Sequence, residues 1–229
     1  MGTVFIIGGS AEAWGVASGM AEALVWLPEE ERVPRDWPCA VQSGAMQLPP
    51  QCRAVIIAPH PCDATAAWKA YRAAQRAGVP TLTIRRPVWT PTRGDTWVPV
   101  RNEAQAAEVI EPGARVLTTL GRAGLPNLKA LNAHVIARRL RRGEGAFPLK
   151  YGRFVDARGP FRVAQEMRFL RKERIDWLLL RNAGGPGGYP KLEAARRLRL
   201  RVAMVTRPAW PGGPCVETVA EALEWLNQE

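Results

Sequence analysis

Histidine occurs only twice and cysteine only four times in the 229 residues, and that scarcity excludes a good deal. Cys39, Cys52, Cys62 and Cys215 show no C-x-x-C spacing, and His60 and His134 add too little for a zinc constellation. The cysteines read as reduced thiols packed as small hydrophobes. No apolar run approaches the ~18 residues of a membrane helix. Met1 to Ser10 lacks the basic start and apolar core of a secretion signal, and Ile6 stands at the sixth position, where a myristoylation site has Ser or Thr. A soluble, cytoplasmic protein is expected, with no membrane partner. Aromatic residues are 7% of the chain, with no helix-turn-helix or RNP pattern, which argues against nucleic acid.

Acidic residues are also in deficit: 21 Asp and Glu stand against 32 Lys and Arg, a formal net charge of +11. Such a field concentrates anionic partners. Nucleic acid, anionic lipid and a multiply carboxylated small molecule all qualify on charge alone.

What the chain does contain is an internal repeat. Val4-Phe5-Ile6-Ile7-Gly8-Gly9 is echoed by Val116-Leu117-Thr118-Thr119-Leu120-Gly121, and Ala54 to His60 by Trp177 to Asn182. Val79 to Trp89, with Arg86-Pro87-Val88-Trp89, is echoed by Val202 to Trp210, with Arg207-Pro208-Ala209-Trp210. Each half closes on an Ala/Glu-rich stretch, Asn102 to Ile110 and Val216 to Leu226. Strands alternate with helices, which predicts parallel sheets with right-handed crossovers. The expected fold is α/β, two Rossmann-like halves facing a central cleft. Pro112-Gly113 marks the boundary, giving a dinucleotide domain over 1–112 and a substrate domain over 113–229.

The pattern predicts strands at 3–7, 39–42, 53–58, 80–84, 98–100, 115–119, 134–138, 176–181 and 202–206. Helices are expected at 10–24, 64–77, 103–110, 123–131, 162–173, 190–198 and 217–227. Gly8-Gly9-Ser10-Ala11-Glu12-Ala13 joins the first strand to the first helix. Glycines there let a pyrophosphate approach the backbone and the helix N-terminus, although the spacing is not G-x-G-x-x-G. About 20 residues on, Glu29 to Glu31 suit a ribose hydroxyl, while Arg32 and Arg35 suit a 2′-phosphate, so the sequence points both to NADH and to NADPH.

His60 ends a strand between Pro59 and Pro61, where it can contact a nicotinamide or pass a proton. His134 opens an apolar strand and reads as structural. Arg122 and Arg158 each precede a helix start, suited to gripping a carboxylate. The run Arg138 to Arg142 reads as a solvated face. Asn182-Ala183-Gly184-Gly185-Pro186-Gly187-Gly188-Tyr189-Pro190-Lys191 is the sharpest segment, a glycine-rich loop between a buried strand and a helix that suits an anion.

Taken in order, these segments resemble the precorrin-6A reductase family of cobalamin biosynthesis. The matching residues are Gly8 to Ala13, His60-Pro61, Arg86-Pro87-Val88-Trp89, Thr118 to Arg122, Ala157-Arg158-Gly159-Pro160-Phe161, Asn182 to Ala195, and Arg207-Pro208. The resemblance implies NADPH on the first half and reduction of one ring double bond in a polycarboxylated tetrapyrrole, precorrin-6A, to give precorrin-6B. It places the cofactor against Gly8, Gly9, Ser10, Glu12, Arg32, Ser43, Gly44, His60 and Pro61, with His60 also the catalytic candidate. It places the substrate against Arg122, Arg158, Asn182, Gly184, Gly185, Tyr189 and Lys191. The departures are Ile57-Ala58-Pro59 before His60, the stretch Trp26 to Arg32, the single Ser43-Gly44 pair and Arg181-Asn182-Ala183-Gly184-Gly185; all but the last fall in the cofactor half. They motivate the alternative of a non-catalytic relative that binds tetrapyrrole or dinucleotide.

Overall fold

Segments that are apolar at every position become strands covered on both faces, because each face of the sheet must be buried. The computed structural model describes residues 2–28, 36–140, 143 and 145–228. In chain order the first elements are β1 (Thr3–Ile7), α1 (Ala11–Ser18), β2 (Ala23–Trp26), β3 (Ala40–Gln42), β4 (Cys52–Ile57), α2 (Ala64–Ala77), β5 (Thr81–Ile84), β6 (Thr96–Val100) and α3 (Ala106–Val109). There follow β7 (Arg115–Thr118), a 3-10 segment (Arg122–Leu128), β8 (His134–Arg139), β9 (Gly152–Asp156), α4 (Val163–Lys172) and β10 (Trp177–Arg181). A short 3-10 turn (Pro186–Gly188), α5 (Tyr189–Leu198), β11 (Arg201–Val205), β12 (Cys215–Val216) and α6 (Val219–Gln228) complete the chain.

The described strands form two six-stranded sheets of identical plan, β12-β5-β4-β1-β2-β3 and β6-β11-β10-β7-β8-β9, with neighbouring strands parallel throughout. In each, the first strand of the repeat lies centrally and the chain then winds outward in both directions. The two-residue period of a strand sorts its side chains. Val4 and Ile6 enter one core and Phe5 and Ile7 the other. In the second sheet, Leu179 goes to one face and Leu178 and Leu180 to the opposite face.

The chain divides into two units, Met1–Pro87 with Pro208–Glu229, and Val88–Arg207. The sequence boundary at 112/113 is therefore corrected. β6 pairs with β11, so 96–100 belongs with the second sheet. β12 pairs with β5, so the last strand and α6 return to the first. Each repeat lends its closing strand to the other, an exchange that a linear repeat does not reveal.

Local chemistry explains the helix ends. Asp63 Oδ1 accepts from the Ala66 amide at 3.0 Å, and Gly78 closes α2 in the left-handed region. Thr218 and Glu221 form a reciprocal capping box before α6. A Cβ at Gly15 on α1 would stand 2.9 Å from Val219 and one at Gly19, just past its end, 2.9 Å from Leu223, so these glycines let α6 pack close.

Several expectations are corrected. The first helix stops at Ser18, because Ala23–Trp26 pairs with β1 instead of continuing the turn pattern. The helix expected at 123–131 is a 3-10 segment with Pro126 inside it. The edge strand β9 was not expected. Arg138 is buried, with only 6% exposure, so the arginine run is not simply a solvated face. Cys215 is exposed, not packed.

Candidate functional site

In an open parallel sheet, ligands sit at the carboxyl ends of the strands where the winding reverses. In the first sheet that point lies between β1 and β4, and the residues following both strands meet there. Ser10 caps α1, its hydroxyl accepting from the Ala13 amide at 3.1 Å and donating to the Ala58 carbonyl beyond β4 at 2.7 Å. Gly9 has φ +121, and a Cβ on it would stand 3.2 Å from the His60 backbone nitrogen. Only glycine combines that backbone with that approach. Gly8 is closed differently: a Cβ there would meet Leu27 Cδ2 at 2.4 Å.

His60 Nδ1 accepts from the Cys62 amide at 3.2 Å, so a neutral ring carries its proton on Nε2. Pro61 is buried beside it. Glu12, in the first turn of α1, receives Arg86 Nη1 at 3.0 Å on both carboxylate oxygens. The pair cancels a negative charge that would otherwise oppose an anion at this helix start. Gly44 follows β3, and its carbonyl accepts from Trp26 Nε1 at 3.1 Å; Ser43 precedes it. Arg32, with Glu29 to Glu31 and Arg35, lies outside the described residues.

The second sheet reverses between β7 and β10. Thr118, fully buried, donates its hydroxyl to the Leu179 carbonyl at 2.8 Å and accepts from the Leu120 amide. Asn182 to Gly188 follows β10. Arg207 donates to the Asn182 and Ala183 carbonyls at 2.8 and 3.0 Å. The Asn182 side chain grips the Trp89 backbone at both its amide and its carbonyl, each at 2.8 Å. Trp89 Nε1 donates to the Gly185 carbonyl at 2.9 Å. Lys191 Nζ donates to the Gly188 carbonyl at 3.1 Å. Gly184 and Gly185 both have positive φ, +67 and +76.

Lys191 is buried near an ion pair, Arg138 to Glu166 at 2.6 Å, whose side chains are 4% and 2% exposed. Phe161 and Phe169 stack on the Arg138 guanidinium at 5.1 and 4.4 Å. Burial pushes the Lys191 ammonium down to about 8; Glu166 opposes that shift and Arg138 adds to it. At the end of β10, Arg181 pairs with the buried Glu103 at 2.5 Å.

Arg122 donates to the Gly145 and Ala146 carbonyls at 2.7 and 3.0 Å and stacks on Phe154 at 5.0 Å. Arg158 is exposed, and no described residue pairs with its guanidinium. It precedes the cis Gly159-Pro160 bond. The Tyr189 hydroxyl accepts from Arg196 at 3.1 Å.

Comparison with known proteins shows the family. Residues 41–227 match the family described as precorrin-6x reductase CbiJ/CobK. The precorrin-6A reductase of Rhodococcus erythropolis is 35% identical over 99% of this chain and 98% of its own length. That of Rhodobacter capsulatus is 36% identical over 75% of this chain and 69% of its own. A solved structure of CobK precorrin-6A reductase superposes with a TM-score of 0.89 at 31% identity, covering 100% of this chain and 97% of that one. The chain belongs to the CbiJ/CobK family.

Members of this family are oxidoreductases of cobalamin biosynthesis that act on a CH–CH bond. A reductase of that kind implies a nicotinamide cofactor. The first unit offers a fit for its phosphates: a glycine turn whose Gly9 has a backbone disfavoured for other residues and presses close to His60, before a capped helix start. Of the residues named from the sequence, Gly9, Ser10 and His60 come together at the first reversal point. Asn182, Gly184 and Gly185 come together at the second. Lys191 instead turns inward, Tyr189 serves Arg196, and the Arg122 guanidinium binds the 145–146 carbonyls. Residues that the sequence reading did not single out as site residues are Arg86, Trp89, Glu103, Arg138, Glu166 and Arg207. Only the Arg86-to-Trp89 and Arg207-Pro208 family matches signalled any of them.

Proposed function

We propose that the protein catalyses NADPH-dependent reduction of one ring double bond in precorrin-6A, giving precorrin-6B. The unit built on β1 holds the cofactor, and the unit built on β7 holds the polycarboxylated substrate. The observation that carries the reading is the Gly9 cradle at the first reversal point, in a chain that aligns end to end with precorrin-6A reductases. When bound, the nicotinamide supplies the hydride.

The protein's own share is orientation and charge. Gly8 and Gly9 admit the phosphates, and the N–H groups at the start of α1 meet their charge. Ser10 holds that start against β4, so its hydroxyl positions the cradle. Arg86 neutralises Glu12 there. His60 Nε2–H is placed to contact the nicotinamide end or carry a proton. Arg158 and the Asn182–Gly188 loop meet substrate carboxylates, and the +11 net charge draws the acidic ring in. NADPH over NADH is favoured by the family resemblance, and the reading carries a cytoplasmic location with it.

The test is direct. Purified protein with precorrin-6A and NADPH should consume reduced-nicotinamide absorbance, and NADH should serve poorly. Tight binding of both ligands without turnover would instead favour a non-catalytic relative.

A further inference from the structure

The Asn182–Gly188 loop is costly to hold in one shape. Gly184 and Gly185 sit at positive φ, and glycine loses more conformational freedom on ordering than any other residue. Something outside the loop has to fix it. Arg207 fixes its first two carbonyls and Lys191 the last, and the middle falls to one side chain outside any helix or strand.

That side chain is Trp89. Its backbone is gripped at two points by the Asn182 amide, at the start of the loop. Its indole Nε1–H donates to the Gly185 carbonyl, in the middle. The far edge of its ring lies against Gly188, at the end, where a Cβ would stand 2.5 Å from Cη2 and 2.7 Å from Cζ2. One residue therefore engages a seven-residue loop three times, its backbone at the beginning and its indole at the centre and the end. It is itself packed against the core cluster that contains Leu178, Leu180 and Leu192. The hydrogen bond to Gly185 also turns that carbonyl oxygen toward the indole, so its negative end is satisfied within the protein. With the Asn182, Ala183 and Gly188 carbonyls held by Arg207 and Lys191, an incoming carboxylate meets less oxygen and more N–H.

We propose that Trp89 is the positioning residue of the substrate loop, holding Asn182–Gly188 in the form that receives a precorrin carboxylate. The proposal rests on the reading of that loop as a substrate contact. Trp89 acts through the loop and touches no reacting atom.

Trp89→Phe keeps an aromatic ring in place, removes the Nε1–H donor and withdraws the ring edge from Gly188. Two readouts are taken on the full-length protein: amide hydrogen exchange of residues 183–188 without ligands, and steady-state kinetics. Loss of one such hydrogen bond corresponds to about five- to ten-fold. Exchange in the loop should rise by about that factor, and KM for precorrin-6A should rise similarly. kcat should stay within about two-fold, and KM for NADPH should not move. A merely structural role would leave the substrate KM alone or lower both constants together.

Unchanged loop exchange overturns the positioning role, whatever the kinetics. Faster exchange with an unchanged substrate KM overturns the proposal by showing that the loop does not meet substrate; the failing link is then the loop assignment, not the indole. If Trp89→Phe folds poorly, Gly188→Ala supplies the same comparison. Residue 188 has φ −92, so alanine suits its backbone, and only the indole must give way.

Discussion

The backbone nitrogen of His60 lies over the Cα of Gly9, so close that any side chain at residue 9 would press on it at 3.2 Å. Two strands, β1 and β4, thus deliver their following turns to one spot. Gly9→Ala introduces that Cβ at φ +121, a conformation alanine resists. The expected outcome is a loss of about 1–3 kcal/mol in stability and a rise of about ten-fold or more in KM for NADPH. Urea unfolding and cofactor titration measure the two separately. An unchanged cofactor KM would detach this turn from the nucleotide.

Arg86 and Glu12 provide a double-mutant test. Arg86→Ala leaves the Glu12 carboxylate bare at the helix start, where it opposes a phosphate. NADPH affinity should fall by about ten-fold, a charge effect of roughly 1.4 kcal/mol. Adding Glu12→Gln should restore most of it. If both single changes weaken binding and the double change weakens it further, the pair contacts the cofactor independently and the neutralising account is wrong.

The buried Arg138–Glu166 pair should be far more sensitive to losing one partner than to losing both. Glu166→Gln strands a guanidinium beside the Lys191 ammonium, at a cost of about 3–5 kcal/mol. Replacing both, as Arg138→Met with Glu166→Leu, should recover much of that stability. Chemical denaturation of the two variants and the wild type decides it; equal losses in the single and double variants would contradict the account.

Lys191 gives a pH signature. Its folded-state value of about 8 lies below the ordinary 10.5, so between those values the unfolded chain holds more protons than the folded one. The penalty for burying the charge is full below pH 8 and is relieved as pH rises toward 10.5. Lys191→Met removes the penalty, so its stability relative to wild type should be greatest near neutrality. That advantage should shrink by up to about 3 kcal/mol by pH 10.5. A difference that is flat with pH would mean that Lys191 is not held in this state.

Much of this was legible because the central strands carry their own signature. Thr3–Ile7, Cys52–Ile57 and Trp177–Arg181 are apolar on both faces, and a run of that kind has few other uses. The repeat, too, was visible in the sequence, and the two sheets follow the same plan. What escaped depends on partners distant in sequence. Ala21 to Leu24 suits a helix by composition, but pairing of β2 with β1 overrides it. Gly152–Asp156 is a half-exposed edge strand without a continuous apolar run. The exchange of β6 and β12 is decided by which neighbour completes each sheet. At the sites, glycines mark their own turns, so Gly9 and Gly184-Gly185 could be read directly. Glu166 and Arg138 lie 28 residues apart and only their meeting gives either a meaning. Trp89 gains its role from Asn182, 93 residues away.

The most direct test of the whole account follows reduced-nicotinamide absorbance while the protein is mixed with precorrin-6A. The account predicts that NADPH is consumed in step with precorrin-6B formation, and that Gly9→Ala slows this mainly through cofactor binding. No loss of absorbance with saturating substrate and NADPH, in protein shown to be folded, would contradict it.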